Sequence, residues 1–206
     1  MTDINDCIAL VERELSPTRL EHSLGVMQVM SELASIYALD ESVAMTCGIL
    51  HDVAKEFPLD RQLDVAREKN IPLSSEYDQH PLFLHGPVGA CYIVDELGIT
   101  DPVILDAIVH HSYFSETTAL SPVLCWCLRF ADILEPTRNW MNIKEQLRPA
   151  VYSGNVKEGA YQLIRWAISF HESMSIPVHT NMHRVSQELS LLMDGKSSNG
   201  MEVLPV

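Results

Sequence analysis

Apolar positions recur at helical spacing along most of the chain. From Thr18 to Ala38 two sets interleave: Leu20, Leu24, Met27, Ala34 and Tyr37, and then Val26, Val29, Leu33 and Ile36. The pattern predicts a helix that is apolar over a wide arc and sits centrally. Asp40 is placed to cap a second helix, which carries Val43, Ala44, Cys47 and Leu50 onward until Pro58 marks its end. A third, amphipathic and solvent-facing, runs from about Asp60 to Lys69, and residues 70–85 read as a loop long enough to serve a function. Cap-plus-proline pairs at Gly86-Pro87, Asp101-Pro102 and Ser121-Pro122 predict three further helix starts, and Gly98 ends the first of these. Later helices are expected at about Met141–Ala150, Asn155–Met174 and Thr180–Met193, the last with Gly195 as terminator, followed by a loose tail over 196–206. No alternating strand pattern, repeat or linker interrupts the series, so the fold class is all-α, one helical domain over residues 1–206 with its core in about 15–195.

Composition narrows the partners. Hydrophobic residues make up 47% of the 206, enough for a proper core, and no apolar run nears the length of a bilayer span. The acidic start, "MTDINDC", lacks the basic region of a signal peptide, so a cytoplasmic location is expected. A net charge of -14 argues against a nucleic-acid polymer as partner, while a small phosphorylated ligand fits if the few cations gather at one place. The five cysteines, with no C-x-x-C, read as buried free thiols in a reducing compartment, not as a zinc site.

Against this background one ordered set of residues stands out: His22, the pair His51-Asp52, His85, His111 and Asp132, each in or beside an apolar helical segment. Any one histidine reads most simply as a hydrogen-bonded core residue, and Asp132 could pair with Arg129 or Arg138. Together they suggest a metal site, because buried carboxylates are costly unless paired or coordinated, and helical bundles build such sites from facing helices. Imidazole with carboxylate suits iron, manganese or zinc. Of the remaining histidines, His80, His171 and His183 are expected at the surface, and His110 competes with His111 for the same role. Arg19 precedes His22 by three residues and Lys55 follows Asp52 by three, which sets each cation on its neighbour's helix face. A local ion pair would explain each alone. With Arg138 just beyond Asp132, convergence on an anion such as phosphate is the stronger reading.

The pattern H…HD…H…H…D, with the doublet as H-D-x-x-K, resembles the HD-domain metal-dependent phosphohydrolases, and within them the YqeK-like bacterial symmetrical bis(5'-nucleosyl)-tetraphosphatases. The resemblance rests on "RLEHSLGVM" (19–27), "GILHDVAKEFP" (48–58), "HGPVGA" (85–90), "AIVHHS" (107–112), "FADILEPTR" (130–138) and "SIPVHT" (175–180). It implies His22, His51, Asp52 and Asp132 as core metal ligands, with His85 and His111 completing a second metal position or touching phosphates. Arg19, Lys55, Arg138, Pro177 and His179 would hold the nucleotide, with Asp52 and Lys55 catalytic. The implied reaction is hydrolysis of diadenosine tetraphosphate to two ADP with iron or manganese, one or two ions, a metal-activated water attacking an inner phosphate. The chain differs from the family in "HSYFSETTAL" and in "LEPTR", where Thr137 replaces glycine. A nucleotidase or phosphodiesterase on another nucleotide, and a non-catalytic nucleotide sensor, are the alternatives. A homodimer is compatible with the sequence.

Overall fold

The structure, a computed structural model, describes residues 3–73, 75–114 and 117–194. These form eleven helices: α1 (Ile4–Glu14), α2 (Pro17–Tyr37), α3 (Glu41–Leu50), α4 (Leu59–Glu68), α5 (Glu76–Gln79), α6 (Pro81–Leu97), α7 (Pro102–Ser112), α8 (Val123–Leu134), α9 (Met141–Tyr152), α10 (Val156–Ser173) and α11 (Thr180–Met193). No strand occurs among the described residues. Gly195 and the tail lie outside them.

α2 and α3 pack side by side at the centre, α6 lies along α7, α8 bridges α2 and α7, and α9, α10 and α11 close one side. Met30, Leu33, Ile49, Leu50, Phe83, Ile93, Ile108, Leu128 and Phe130 are fully buried between them. The α2–α3 contact is set by Gly48, where a Cβ would stand only 2.7 Å from the Met27 Cα. α2 is broadly apolar but not enclosed all round, since Leu24 and Ile36 are each 37% exposed.

Caps follow the side-chain chemistry. The Ser16 and Asp40 side chains accept from the backbone N–H groups of Arg19 and Val43, and Asp101 does the same for Val103. Gly98 ends α6 in the left-handed region at φ 64.

Four boundaries differ from the sequence expectation. The acidic N-terminal stretch forms α1, whose Cys7, Leu10 and Val11 are buried. α3 stops at Leu50, and residues 51–57 continue as tighter turns, with Val53, Lys55 and Phe57 N–H donating to the carbonyls of Leu50, Asp52 and Ala54. α6 starts at Pro81, so most of the expected loop shortens and Gly86-Pro87 lies inside a helix. Pro87 cannot donate to the Phe83 carbonyl, and the Ser112 hydroxyl does so from α7 at 3.2 Å. Gly86 makes that crossing close, because a Cβ there would meet the Ser112 Oγ at 2.6 Å. The fourth is α8, which begins one residue beyond Ser121-Pro122, and no side chain caps it.

Candidate metal and phosphate site

Five segments deliver their polar groups to one place. α2 supplies Arg19 and His22, the turns after α3 supply His51, Asp52 and Lys55, α6 supplies His85, the last turn of α7 supplies His111, and the end of α8 supplies Asp132. The tight winding over 51–57 approaches three residues per turn, which stacks Lys55 over Asp52. Glu56 ties this turn to the start of α2 by accepting from Ser16 N–H at 2.6 Å and Ser16 Oγ at 2.8 Å.

Asp52, buried, divides its oxygens between two groups. Its Oδ2 lies 3.5 Å from His51 Nε2 and 3.6 Å from His22 Nε2, while Oδ1 lies 3.0 Å from His85 Nε2 and 3.5 Å from His111 Nε2. Asp132 Oδ1 stands 3.0 Å from His22 Nε2 and 3.8 Å from His51 Nε2. His22, His51 and Asp132 form one set with metal-ligand spacing, and His51, Asp52 and His111 form another.

The opposite ring nitrogens are anchored. His51 Nδ1 meets the Gly48 carbonyl at 2.8 Å, His111 Nδ1 meets that of Ile108 at 2.6 Å, and His85 Nδ1 meets that of Pro81 at 3.2 Å. Carbonyls only accept, so each Nδ1 carries the hydrogen and each Nε2 turns a lone pair inward. His22 Nδ1 contacts Glu135 Oε1 at 2.9 Å. Lone pairs then face one another, at 2.9 Å between His85 and His111 and 3.3 Å between His22 and His51, beside two carboxylates. Such a centre demands a cation. Its field shows on His51: burial alone would depress the imidazole, yet the charges of Asp52 and Asp132 raise it to about 9. A centre that holds a proton on a fully buried ring fits a divalent or trivalent metal ion. His85, by contrast, falls to about 3 through burial and the nearby Lys55 charge, and burial also lowers His111, so both present neutral nitrogens.

Three cations surround the carboxylates. Arg19 Nη1 donates to Asp52 Oδ2 at 3.0 Å, Arg138 Nη2 donates to Asp132 Oδ1 at 2.5 Å, and Lys55 Nζ lies 3.8 Å from Asp52 Oδ1 and 3.3 Å from His85 Nε2. Of the two partners considered for Asp132, Arg138 is the one paired with it. Arg129 instead donates to the His110 carbonyl at 2.7 Å and to Thr117 Oγ1 at 2.7 Å. His110 itself faces Asp106 at 3.0 Å, which leaves His111 as the inward member of the pair. Burial would raise the Asp52 carboxyl, but Lys55, His51 and His111 together hold it well below its usual range. Burial also lowers Lys55, only partly offset by Asp52 and Asp132.

Arg19, Lys55, His111, Asp132 and Arg138 floor a cavity of about 340 Å3. Its walls are apolar and aromatic, from Phe83, Phe114, Ile133, Trp140, Trp166 and Phe170. Polar floor and apolar walls suit a nucleotide. Ile176 reaches this cavity from the 175–180 segment, whereas Pro177 and His179 are not among its lining residues, and the His179 side chain caps α11 through Asn181 N–H.

Several features escaped the sequence reading. Glu135 is fully buried behind His22, three residues after Asp132 in "DILE", a helical i+3 signal present in the sequence. Trp166 and Phe170, one turn apart on α10, gave a similar cue. His171 was expected at the surface but is 6% exposed against Phe83, and His80 is half-buried as the cap of α6; the Phe83 ring lies between α6 and α10 and draws both inward. His183 is exposed. Cys7, Cys47, Cys125 and Cys127 are buried free thiols, and Cys91 is half-buried. Among the described residues no helix is long and apolar enough to cross a membrane.

Comparison with known proteins gives concordant relatives. The profile described as HD domain matches residues 19–137. "Bis(5'-nucleosyl)-tetraphosphatase, symmetrical" of Bacillus subtilis (strain 168) is 31% identical over 140 residues, covering 68% of this chain and 73% of that protein. The protein of the same name from Staphylococcus aureus (strain NCTC 8325 / PS 47) is 27% identical over 170 residues, 82% and 86% of the two chains. A solved structure described as a predicted HD superfamily hydrolase involved in NAD metabolism, from Clostridium acetobutylicum, superposes with a TM-score of 0.81 at 26% identity, covering 92% of this chain and 98% of that one.

Proposed function

Because the chain belongs to the HD domain family, we propose that it is a metal-dependent phosphohydrolase that cleaves diadenosine tetraphosphate symmetrically into two ADP. The observation that carries the proposal is the convergence of His22, His51, Asp52, His85, His111 and Asp132 with Arg19, Lys55 and Arg138, of which Arg19, Lys55, His111, Asp132 and Arg138 line one aromatic-walled cavity. His22, His51, Asp52 and Asp132 would hold the metal, and His85 and His111 would serve a second ion if one binds. Iron is the expected metal, manganese the alternative. When bound, the metal supplies a Lewis acid that neutralises phosphoryl charge and acidifies water near neutral pH.

The chain's own groups do the rest. Glu135 and the backbone carbonyls fix the imidazole rings, so no reorganisation is needed as charge develops. Arg19 and Arg138 present planar donor forks to phosphate oxygens, and Lys55 places a point charge over the same region. The aromatic walls exclude water from the cavity and receive a base. Pro177 and His179 would act at one remove, by setting the 175–180 segment that brings Ile176 to the cavity.

The names of the relatives support the dinucleotide as substrate, and Thr137 together with the 111–120 stretch favours a second reading, hydrolysis of another phosphorylated nucleotide. One experiment separates them: anaerobic incubation with diadenosine tetraphosphate and ferrous iron, and in parallel with manganese, followed by product analysis. ADP as sole product is expected. AMP with ATP, or no turnover beside cleavage of other nucleotides, removes the proposed substrate.

A further inference from the structure

A symmetrical dinucleoside polyphosphate brings two identical bases, and one aromatic wall of this protein faces two separate spaces. Trp140, Trp166 and Phe170 line the cavity above the carboxylates, and the same three line an outer pocket of about 290 Å3 together with Asn139, Met141 and Asn142. Trp166 and Phe170 stack with centroids 5.1 Å apart and planes at 15°. Trp140 leans on them at 5.1 and 5.7 Å, both at 48°. No residue lining the outer pocket is ionisable, so it does not suit a phosphate. What fits is a neutral, flat ring with a hydrogen-bonding edge: aromatic faces stack it, the Met141 thioether adapts to it, and an Asn amide can pair with an adenine edge through two hydrogen bonds.

We infer that this outer pocket seats the second nucleobase of a dinucleoside polyphosphate whose first base occupies the aromatic side of the cavity. The inference rests on the hydrolase reading above and deepens it. Arg138 marks the route between the two spaces, since its guanidinium pairs with Asp132 and also lies 4.4 Å over the Trp140 ring. A phosphate chain held at Arg138 therefore has an aromatic seat on either side of Trp140. A mononucleotide leaves the outer seat empty, which makes the pocket the determinant of dinucleotide preference.

The test fills the pocket and leaves the floor intact. Asn142→Trp occupies it and Asn142→Ala removes its amide; Asn142 is exposed, so neither change burdens the core. KM is measured on manganese-loaded enzyme for diadenosine tetraphosphate and for adenosine 5'-tetraphosphate, which has the same phosphate chain and one base. For Asn142→Trp the dinucleotide KM should rise about tenfold, the loss expected of one base–aromatic contact, with kcat and the single-base substrate unaltered. Asn142→Ala should move the dinucleotide KM in the same direction by less. An unchanged dinucleotide KM, or an equal rise for both substrates, overturns the inference. Wild-type enzyme that forms no ADP from the dinucleotide overturns the parent reading, and this one with it.

Discussion

Glu135→Gln isolates the support behind the metal site without touching its inward face. Glu135 is fully buried, and its Oε1 contacts His22 Nδ1 at 2.9 Å while accepting from Thr137 Oγ1 at 2.7 Å; its Oε2 accepts from Thr137 N–H at 2.6 Å. Burial would push this carboxyl up, but the hydrogen bonds from His22 and Thr137 outweigh it and hold the group below its usual range. Gly25 leaves room for it, since a Cβ there would stand 2.8 Å from Oε2. Glutamine keeps the shape, removes the charge, and replaces one acceptor by an NH2. That NH2 must face either His22 Nδ1–H or Thr137 N–H, a donor against a donor. The imidazole loses its fixed orientation, and partners of this type are worth about 10- to 100-fold in metal affinity, or about 1.4–2.7 kcal/mol. Manganese titration by calorimetry on the variant and wild type checks this, with far-UV circular dichroism to show that both are folded. Equal manganese affinities in two folded proteins would refute the role given to Glu135.

Two further outcomes follow from packing and burial. Gly48→Ala should lower the urea midpoint, because the new Cβ meets Met27 Cα at 2.7 Å and Met27 N at 3.0 Å, and backbone cannot yield as a side chain can. Overpacking of this kind costs about 1–3 kcal/mol, against a gain in helix propensity of about 1 kcal/mol, so an unchanged or raised midpoint would be contrary. His171 is buried with no hydrogen-bond partner for Nδ1 among the described residues, and burial with the nearby His80 charge lowers it from 6.5 to about 4. As pH falls the unfolded chain takes up the proton first, so the stability from the neutral ring is full above pH 6.5 and is lost toward pH 4, by at most about 3 kcal/mol. His171→Phe should lose less than wild type between pH 7.5 and pH 4.5 in urea unfolding; equal losses would count against it.

The helices were legible because their signals are local. Asp40, Gly98 and Asp101-Pro102 fix ends by groups a few residues away, and each stands where the sequence put it. The start of α6 was not legible, because the helix tolerates Pro87 only through the Ser112 hydroxyl on another helix, which no local rule sees. The stop of α3 at Leu50 was hidden for a different reason: the turns over 51–57 keep helix-like spacing and only tighten it. Among the candidate site residues, histidines and acids in apolar segments announced themselves through the cost of burying them. Trp140 and Trp166 carry no such cost: Trp166 offered only its one-turn spacing from Phe170, and Trp140 read as ordinary core. Pro177 and His179 rested on resemblance alone, and the lining residue of their segment is Ile176.

The arrangement also orders the binding events. Arg19 holds Asp52 Oδ2 at 3.0 Å and Arg138 holds Asp132 Oδ1 at 2.5 Å, the same oxygens that face the imidazole nitrogens. An N–H that donates to a carboxylate is not available to a phosphate, and with 28 acidic against 14 basic residues the chain has few other cations to recruit. A metal ion drawing on those carboxylates weakens both ion pairs and frees the guanidinium forks, so metal and nucleotide should bind with positive coupling. A coupling of about tenfold, or about 1.4 kcal/mol, lies in the usual range for linked sites. Calorimetric titration of ADP into chelator-treated and manganese-loaded protein reads it directly, and by reciprocity ADP must tighten manganese by the same factor. Arg138→Lys should reduce the coupling, since an ammonium cannot reproduce the fork. Equal ADP affinity with and without manganese would mean that the arginines are bound to their carboxylates for structure, and that the phosphate is held elsewhere on the cavity floor.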